Sequence, residues 1–193
     1  PGIMGLIFIL VCALMTSVSI VREKEVGTME VLLVSPVRPV KIIFAKMIPY
    51  FGISCIVLVT ILLLARYLLG VPMTGGVGGI FSLSLLYLAL SLSLGLLVST
   101  IATTQMAALL ISAMVMMMPI LMLSGMLFPI ENLPKFFQIV SNIVPARWYI
   151  DAVRKMMIQG LPLVAVWKNC MILLGMTAVI LGVSLKKFND KLE

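Results

Sequence analysis

Charged side chains suited to binding another protein are concentrated in one short stretch, VREKEVGTMEVLLVSPVRP, between Val21 and Pro39. Acidic and basic residues alternate at its start, and mostly apolar residues follow a glycine. Charge pairs supply specificity and apolar side chains supply affinity at protein interfaces, so this pattern is typical of a docking segment. From the residues alone, an interfacial membrane anchor explains it equally well. The candidate docking residues are Arg22, Glu23, Lys24, Glu25, Gly27, Thr28, Met29, Glu30, Leu32 and Leu33.

Catalysis and metal binding are disfavoured by the composition. The chain has no histidine, which removes the commonest general base and metal ligand. Its three cysteines, Cys12, Cys55 and Cys170, lie far apart in apolar runs without CxxC spacing, which predicts buried thiols. A phosphate-binding loop of the GxxxxGKS or GxxxxGKT type is absent from the sequence. We therefore predict no catalytic residue, no metal site and no cofactor bound by this chain.

The elements that carry the docking stretch must be membrane helices. Hydrophobic residues make up 62% of the 193 residues, charged residues only 11%, and the mean hydropathy is +1.24. Such a chain cannot fold around one soluble core without a very large exposed apolar surface. Apolar windows of about 20 residues predict an all-α integral membrane bundle of about five transmembrane helices. The predicted spans lie near residues 3–21, 47–69, 80–101, 106–128 and 166–185.

The basic residues predict the orientation of these spans. Of the 14 Lys and Arg residues, eight lie between the first two spans or after the fifth. By the positive-inside rule, this side is cytoplasmic. A net charge of +7 would suggest nucleic acid as a partner of a soluble chain, but here the bases flank membrane segments, so no nucleic acid partner is predicted.

The docking stretch is predicted to contain a short helix along the cytoplasmic surface. Gly27 can adopt the conformation that ends a helix, and Thr28 is a candidate N-cap for the next one. Glu30 in the first turn would face the positive end of the helix dipole. Ser35 and Pro36 would end this helix, which is too short to cross the bilayer.

The third and fourth spans contain no charged residue, which argues against an ion-coupled transporter. In the third span, Ser91, Gly95 and Ser99 recur every fourth residue and form a stripe of small residues. Such a stripe allows another helix to approach closely. We interpret it as a packing surface and not as a substrate site.

The fourth span and the segment after it suggest a gate. Pro119 removes a backbone donor and would kink the helix, with Ser124 and Gly125 as a further weak point. Pro129 and Pro145 punctuate the segment that follows. These five residues are the candidate gate or hinge positions. The alternative is that Pro119 is a tolerated kink and the neighbouring methionines fill a core.

Residues 129–162 are predicted to form outer re-entrant or interfacial helices. Two amphipathic pieces, 135–143 and 148–158, are each too short to cross the bilayer. Asp151 and Lys155 are spaced to form an ion pair on one helix face. Three aromatic residues are predicted to lie at the depth of the lipid headgroups: Trp148, Tyr149 and Trp167.

Two ordered motifs resemble the permeases of type 2 ABC exporters. REKEVGTMEVLLVSPV (22–37) resembles the segment that follows the second transmembrane helix in that family, and LSGMLFPIENLPKFFQIVSNIVPARWYIDAVR (123–154) resembles its outer segment. The resemblance implies that residues 22–37 form a coupling helix seated in an ABC ATPase subunit, which binds ATP and Mg. It also implies an outer gate between two permease copies, and a chain that begins at the second of six spans.

The resulting expectation is a permease subunit of a homodimeric or heterodimeric exporter in a bacterial-type inner membrane, in contact with membrane lipids. The nearly uncharged spans favour a lipophilic or amphipathic small molecule, either drug-like or a lipid, over a bare ion. The alternative function is a membrane scaffold that does not transport and recruits a cytoplasmic partner through residues 22–37. An intramembrane enzyme is disfavoured because histidine and paired intramembrane carboxylates are missing.

Overall fold

The computed structural model describes residues 1–190, apart from the side chain of Leu33. Lys191, one of the predicted inner-side cations, lies outside the described residues. In chain order the helices are α1 (Gly2–Val26), α2 (Thr28–Leu33), α3 (Pro39–Leu63), α4 (Val77–Ile101), α5 (Gln105–Ile111), α6 (Met117–Leu123), α7 (Lys135–Ser141), α8 (Pro145–Ile158) and α9 (Trp167–Asp190). Helix α3 continues as a π-helical turn at Leu64–Leu68, a second π-helical turn at Ser112–Met116 joins α5 to α6, and 3₁₀ turns occupy Ile130–Asn132 and Leu163–Val166.

Five helical segments of the described chain are long and apolar enough to cross a membrane: Gly2–Val26, Pro39–Leu68, Val77–Ile101, Gln105–Leu123 and Leu163–Asp190. Residues 1–190 contain no strand, so the predicted all-α polytopic class is confirmed. Helices α1 and α4 form the centre of the bundle, because their apolar windows are 50% and 67% buried, whereas those of the other three segments are 22% or less.

The central pair of helices packs through the predicted stripe of small residues. A Cβ atom on Gly95 of α4 would lie 2.8 Å from the Ala13 carbonyl oxygen of α1, closer than real Cβ contacts. Ser91 and Ser99, one turn to either side of this glycine, are fully buried. The interpretation of the stripe as a packing surface is therefore confirmed for Gly95, where only a glycine leaves room for the α1 backbone.

Several helices extend beyond the predicted apolar spans. Helix α3 begins at Pro39, so Lys41 and Lys46 lie on a helix and not in a loop. Proline is favoured in the first turn of a helix because its missing N–H has no acceptor there. Helix α9 likewise continues to Asp190 and includes Lys186 and Lys187. Hydropathy reports the apolar part of a helix, whereas backbone hydrogen bonding continues through the charged turns.

Hydrogen bonds identify the two ends of the bundle. At the end that we call the inner end, the Glu25 carboxylate of α1 accepts hydrogen bonds from Gln105 at the start of α5. At the outer end, the Gly75 amide in the loop between α3 and α4 donates to the Met156 carbonyl of α8, with 3.0 Å between nitrogen and oxygen. Helices α7 and α8, with seven and 14 residues, are too short to cross the bilayer and belong to the outer end.

Candidate functional site

The docking stretch is divided between two helices by one glycine. Helix α1 runs on through Arg22 and Glu25 to Val26, and Gly27 then adopts a left-handed conformation with φ of 78°. This conformation strains residues that carry a Cβ atom, which explains the glycine. The predicted N-cap was wrong, because Gly27 occupies the N-cap position of α2. The Thr28 hydroxyl instead donates back to the Glu23 carbonyl, at an oxygen–oxygen distance of 3.3 Å.

Three charged side chains of the docking stretch have partners within the chain. Glu23 forms an ion pair with Lys46 of α3. Lys24 donates to the Ser99 carbonyl of α4, and its ammonium lies 5.5 Å from the centre of the Phe188 ring of α9. These contacts show that two of the charges predicted to face a partner also bond within the chain, and their docking role stays a prediction. They join the inner ends of α3, α4 and α9 to the last turn of α1.

Glu25 completes this cluster of inner-end contacts. One of its carboxylate oxygens accepts from the Gln105 side-chain amide at 2.8 Å and from the Gln105 backbone amide at 3.2 Å. The carboxylate therefore satisfies a free N–H at the start of α5, where negative charge is favoured by the helix dipole. Arg22, by contrast, is exposed and remains accessible at the surface.

The apolar surface of α2 also differs from the prediction. Met29 was predicted to be part of an exposed apolar anchor, but it is 8% exposed and packs in the core of the chain. Leu32 is half-buried, and the Leu33 side chain lies outside the described set. The apolar side chains that α2 and its end present are Val31 and Val34, 74% and 87% exposed, beside the exposed Glu30.

At the outer end, helix α8 is inserted into the bundle. Tyr149, which was predicted at headgroup depth, is fully buried, and its hydroxyl lies 2.8 Å from the Ser84 hydroxyl of α4. Trp148 is half-buried and donates to the Asn142 carbonyl, while Trp167 is 64% exposed. The buried face of this amphipathic helix therefore packs on protein and not on lipid, and the depth of Tyr149 in the bilayer stays a prediction.

The polar face of α8 positions the start of the last helix. The predicted ion pair between Asp151 and Lys155 is present, with 2.7 Å between Nζ and Oδ2. The same carboxylate oxygen accepts from the Asn169 side-chain amide of α9 at 3.0 Å, and this amide also donates to the Trp148 carbonyl. Asp151 therefore connects α8 to α9 as well as to its own helix.

The candidate hinge positions lie at helix irregularities of different kinds. Pro119 lies in α6, directly after the π-helical turn at Ser112–Met116. A proline clashes with the carbonyl one turn before it, and a π-helical turn is one way to accommodate that clash. The helix ends at Leu123, five residues before the predicted end of the span, and Gly125 just after it adopts a left-handed φ of 78°, which an α-helix cannot continue through.

The two later prolines differ from each other. Pro129 is exposed and precedes the 3₁₀ turn at Ile130–Asn132. Pro145, predicted to punctuate the segment, is the first residue of α8 and follows the turn after α7. Its fixed φ is suited to the first turn, so it starts this helix.

An open apolar groove of about 500 Å³ runs between α6 and α7. Met114, Met118 and Met122 line one side of it, and Phe137 lines the other. Methionine is flexible and adapts to irregular neighbours, so these side chains can form a lining that changes shape. The groove lies next to Pro119, which also lines it.

Sequence reasoning did not identify the partners of the inner-end charges. Lys46, Gln105 and Phe188 were not singled out, although they contact three neighbouring charges of α1. The sequence held a weak signal for Gln105. This polar residue begins the fourth span, and that end of the span lies on the same side of the membrane as the end of α1. Lys46 could have been assigned to a helix from the proline at position 39.

Comparisons with known proteins identify the family of this chain. The profile of a family described as "ABC-2 family transporter protein" matches residues 1–186. The chain is 31% identical over 194 residues to the "Probable multidrug ABC transporter permease YbhS" of Escherichia coli K12, covering all of this chain and 51% of that protein. It is 30% identical over 178 residues to the permease YbhR of the same organism, covering 92% of this chain and 48% of that protein.

A eukaryotic relative is more distant. "ABC transporter G family member 20" of Dictyostelium discoideum is 29% identical over 193 residues, covering 99% of this chain and 26% of that protein. The chain thus spans about half the length of the two bacterial relatives and a smaller part of this one. No solved structure matches it.

Proposed function

The chain belongs to the ABC-2 transporter family, and from that premise we propose that it is the permease part of an ATP-driven exporter whose ATPase is a separate subunit. The exporter moves a lipophilic or amphipathic small molecule outward across a bacterial-type inner membrane. ATP and Mg bind to the partner ATPase. Both bacterial relatives are named as probable multidrug ABC transporter permeases, which supports both the role and the cargo class.

The geometry of α2 is the observation that carries this proposal. A six-residue helix follows the long helix α1 after a left-handed glycine and presents Val31 and Val34 away from the chain. Apolar side chains this exposed at the charged end of a membrane bundle are suited to bind a protein surface. We assign α2 as the coupling helix that the ATPase contacts.

The inner-end contacts explain how a push on α2 would reach the membrane helices. Met29 anchors α2 in the core, and Gly27 joins it to α1 without intervening loop residues. The last turn of α1 is bonded in turn to α3, α4 and α5 through Glu23, Lys24 and Glu25. A displacement of α2 is therefore transmitted to several helices together, as coupling by a rigid network requires.

A second permease copy completes the proposed exporter. The described helices leave wide apolar faces, and the groove beside α6 is lined by apolar residues that lipid or another copy can cover. A cleft between two copies would suit a lipophilic cargo, because the fourth span carries no charged side chain along it. The partner is a second copy of this chain or a related permease.

The test is co-purification of the full-length protein with its ATPase and with a matched control. Val31→Glu with Val34→Glu places charges on the exposed part of α2 and is expected to abolish co-elution and transport in proteoliposomes, at unchanged membrane abundance. Val164→Glu changes a side chain of similar exposure, 77%, at the outer end, and is expected to retain both. Unchanged co-elution and transport in the double variant would refute the assignment of α2.

A further inference from the structure

A narrow groove lies between the outer part of the segment Pro39–Leu68 and the start of α4. Leu63 lines one wall, Phe81 lines the other, and Met73 of the intervening loop also contributes. All lining residues belong to 59–81, so two consecutive helices and the loop that joins them build the groove. Its volume is about 170 Å³. Sites that enclose a small molecule measure about 300–1,000 Å³, so this groove suits part of one hydrocarbon chain instead.

The lining of this groove carries one positive charge. Of the described residues that line it, only Arg66 is charged, and the others are apolar or aromatic. The sequence contains no Asp or Glu between Glu30 and Glu131, so neither α3, nor α4, nor their loop brings a carboxylate to this cation. An anionic group is therefore the ligand that the charge of this groove favours.

The donors of Arg66 remain available for such a ligand. Its guanidinium lies 5.8 Å from the centre of the Tyr67 ring, and it makes no hydrogen bond or ion pair within residues 1–190. The planar fork can therefore bind a phosphate through two charge-assisted hydrogen bonds. Tyr67 is 78% exposed, and tyrosine is enriched at the depth of the lipid headgroups, where phosphates lie.

The groove extends from this cation toward the middle of the membrane. Arg66 lies in the π-helical turn at Leu64–Leu68, and Val59, seven residues earlier in α3, lines the other end. At a rise of 1.5 Å per residue, this separation is about 10 Å along the helix. The hydrocarbon of one leaflet is about 15 Å thick. A chain attached to a phosphate at Arg66 would therefore lie beside Leu63 and Val59 within a single leaflet.

We propose that this groove binds one anionic phospholipid of the outer leaflet. The phosphate accepts hydrogen bonds from Arg66, and one hydrocarbon chain lies between Leu63 and Phe81. The bilayer is the source of the ligand, because Val59 and Leu63 are 44% and 52% exposed along a membrane-spanning helix. The site goes beyond the proposed transport function, since this lipid is not cargo and its binding requires neither ATP nor the ATPase.

Native mass spectrometry of the delipidated full-length protein tests the site with three probes. Phosphatidylglycerol has an anionic head, phosphatidylcholine with the same chains has no net charge, and inorganic phosphate has no chain. We expect one phosphatidylglycerol per subunit to bind about three- to fivefold more tightly than phosphatidylcholine, the size of one partly exposed charge pair. Inorganic phosphate in molar excess is expected not to displace it.

Arg66→Gln tests the head of the lipid. This variant is expected to bind phosphatidylglycerol about three- to fivefold more weakly, as weakly as phosphatidylcholine, whereas Arg66→Lys keeps the charge and should lose less. Lys168→Gln is the matched control, because Lys168 is also an exposed outer cation beside an exposed aromatic residue, Trp167, but does not line the groove. It is expected to bind like the wild type.

Leu63→Trp tests the chain of the lipid. A larger side chain fills the groove, and we expect phosphatidylglycerol affinity to fall about threefold or more through lost packing contacts. Leu64→Trp is the matched control, because Leu64 is the next residue, is 48% exposed and does not line the groove. Thermal unfolding without added lipid should be unchanged in both variants, since both positions are exposed.

Three results would overturn the proposal. Equal phosphatidylglycerol affinity of the wild type and Arg66→Gln would exclude the head contact, and displacement by inorganic phosphate or wild-type affinity in Leu63→Trp would exclude the chain. Cross-linking of Leu63→Cys, with the native cysteines replaced, to a second copy or to another segment of the full-length protein would show that protein covers the groove. Transport is measured separately, so each result leaves the proposed exporter unaffected.

Discussion

The phenol ring of Tyr149 lies against that of Tyr87, with ring centroids 4.1 Å apart and ring planes 5° from parallel. The Tyr87 hydroxyl donates to the Gly5 carbonyl of α1 at 3.0 Å, so the stack joins α8 to the two central helices. Both rings are fully buried. This contact holds the outer segment inside the bundle, and it gives the first prediction.

Replacing Tyr149 should loosen the outer segment. Tyr149→Ala removes a fully buried ring and is expected to lower the free energy of unfolding by about 3 kcal/mol or more. Tyr149→Phe keeps the ring but loses the contact with Ser84, at a cost of about 1 kcal/mol. Thermal unfolding in detergent measures both, and Trp167→Ala, at an exposed aromatic residue, is the control. Equal stability of the Ala variant and the wild type would contradict the role of the stack.

Gly95 should tolerate no larger side chain. In Gly95→Ala the new methyl group would meet the α1 backbone at 2.8 Å, so the central helices must separate. We expect a loss of about 1–3 kcal/mol, the usual cost of overpacking. Gly182→Ala in α9 is the matched control, because a Cβ atom there meets nothing within 4 Å. The thermal unfolding midpoint of Gly95→Ala should therefore be clearly lower than that of Gly182→Ala. Similar midpoints would argue against close packing at Gly95.

The ion pair between Glu23 and Lys46 should matter for coupling. Glu23→Lys and Lys46→Glu each place like charges together. Each is expected to lower the free energy of unfolding by about 1 kcal/mol and to reduce the amount of cargo transported per ATP hydrolysed. Because both side chains are only half-buried, the exchanged pair Glu23→Lys with Lys46→Glu should recover much of the loss. Double-mutant analysis of transport and stability measures this. Additive losses in the exchanged variant would exclude a direct interaction.

Removing the proline of α6 tests the proposed hinge. Pro119→Ala restores a backbone donor and is expected to let the π-helical turn before it become regular, so that the helix bends less easily. Insertion and ATPase binding should be normal, while transport slows and ATP hydrolysis responds less to cargo.

Pro49 offers the matched control for that experiment. It also lies inside a long helix, α3, but not beside a π-helical turn. Pro49→Ala is expected to leave cargo-stimulated hydrolysis unchanged. If Pro119→Ala transports like the wild type at equal membrane abundance, the hinge does not lie at Pro119, and Gly125 and Pro129 become the positions to test.

Some features of the fold were predictable from local sequence because local physics decides them. Gly27 separates α1 from α2 because a left-handed residue is required there, and Asp151 pairs with Lys155 because four residues return to the same helix face. The spans followed from apolar length alone. The ends of helices were less well predicted, as at Leu123, since one left-handed glycine, Gly125, stops a helix that hydropathy would continue.

The sequence by itself determined that this protein crosses a membrane, roughly where each span lies, and that charges flank a short helix after α1. Only the tertiary structure decided that Met29 and Tyr149 face the core, that Glu23 pairs with Lys46, and that Arg66 lines a groove between α3 and α4. The physical reason is that hydropathy and helical spacing depend on neighbours along the chain. The partner of a side chain depends on which helices lie side by side, and residues far apart in the sequence determine that.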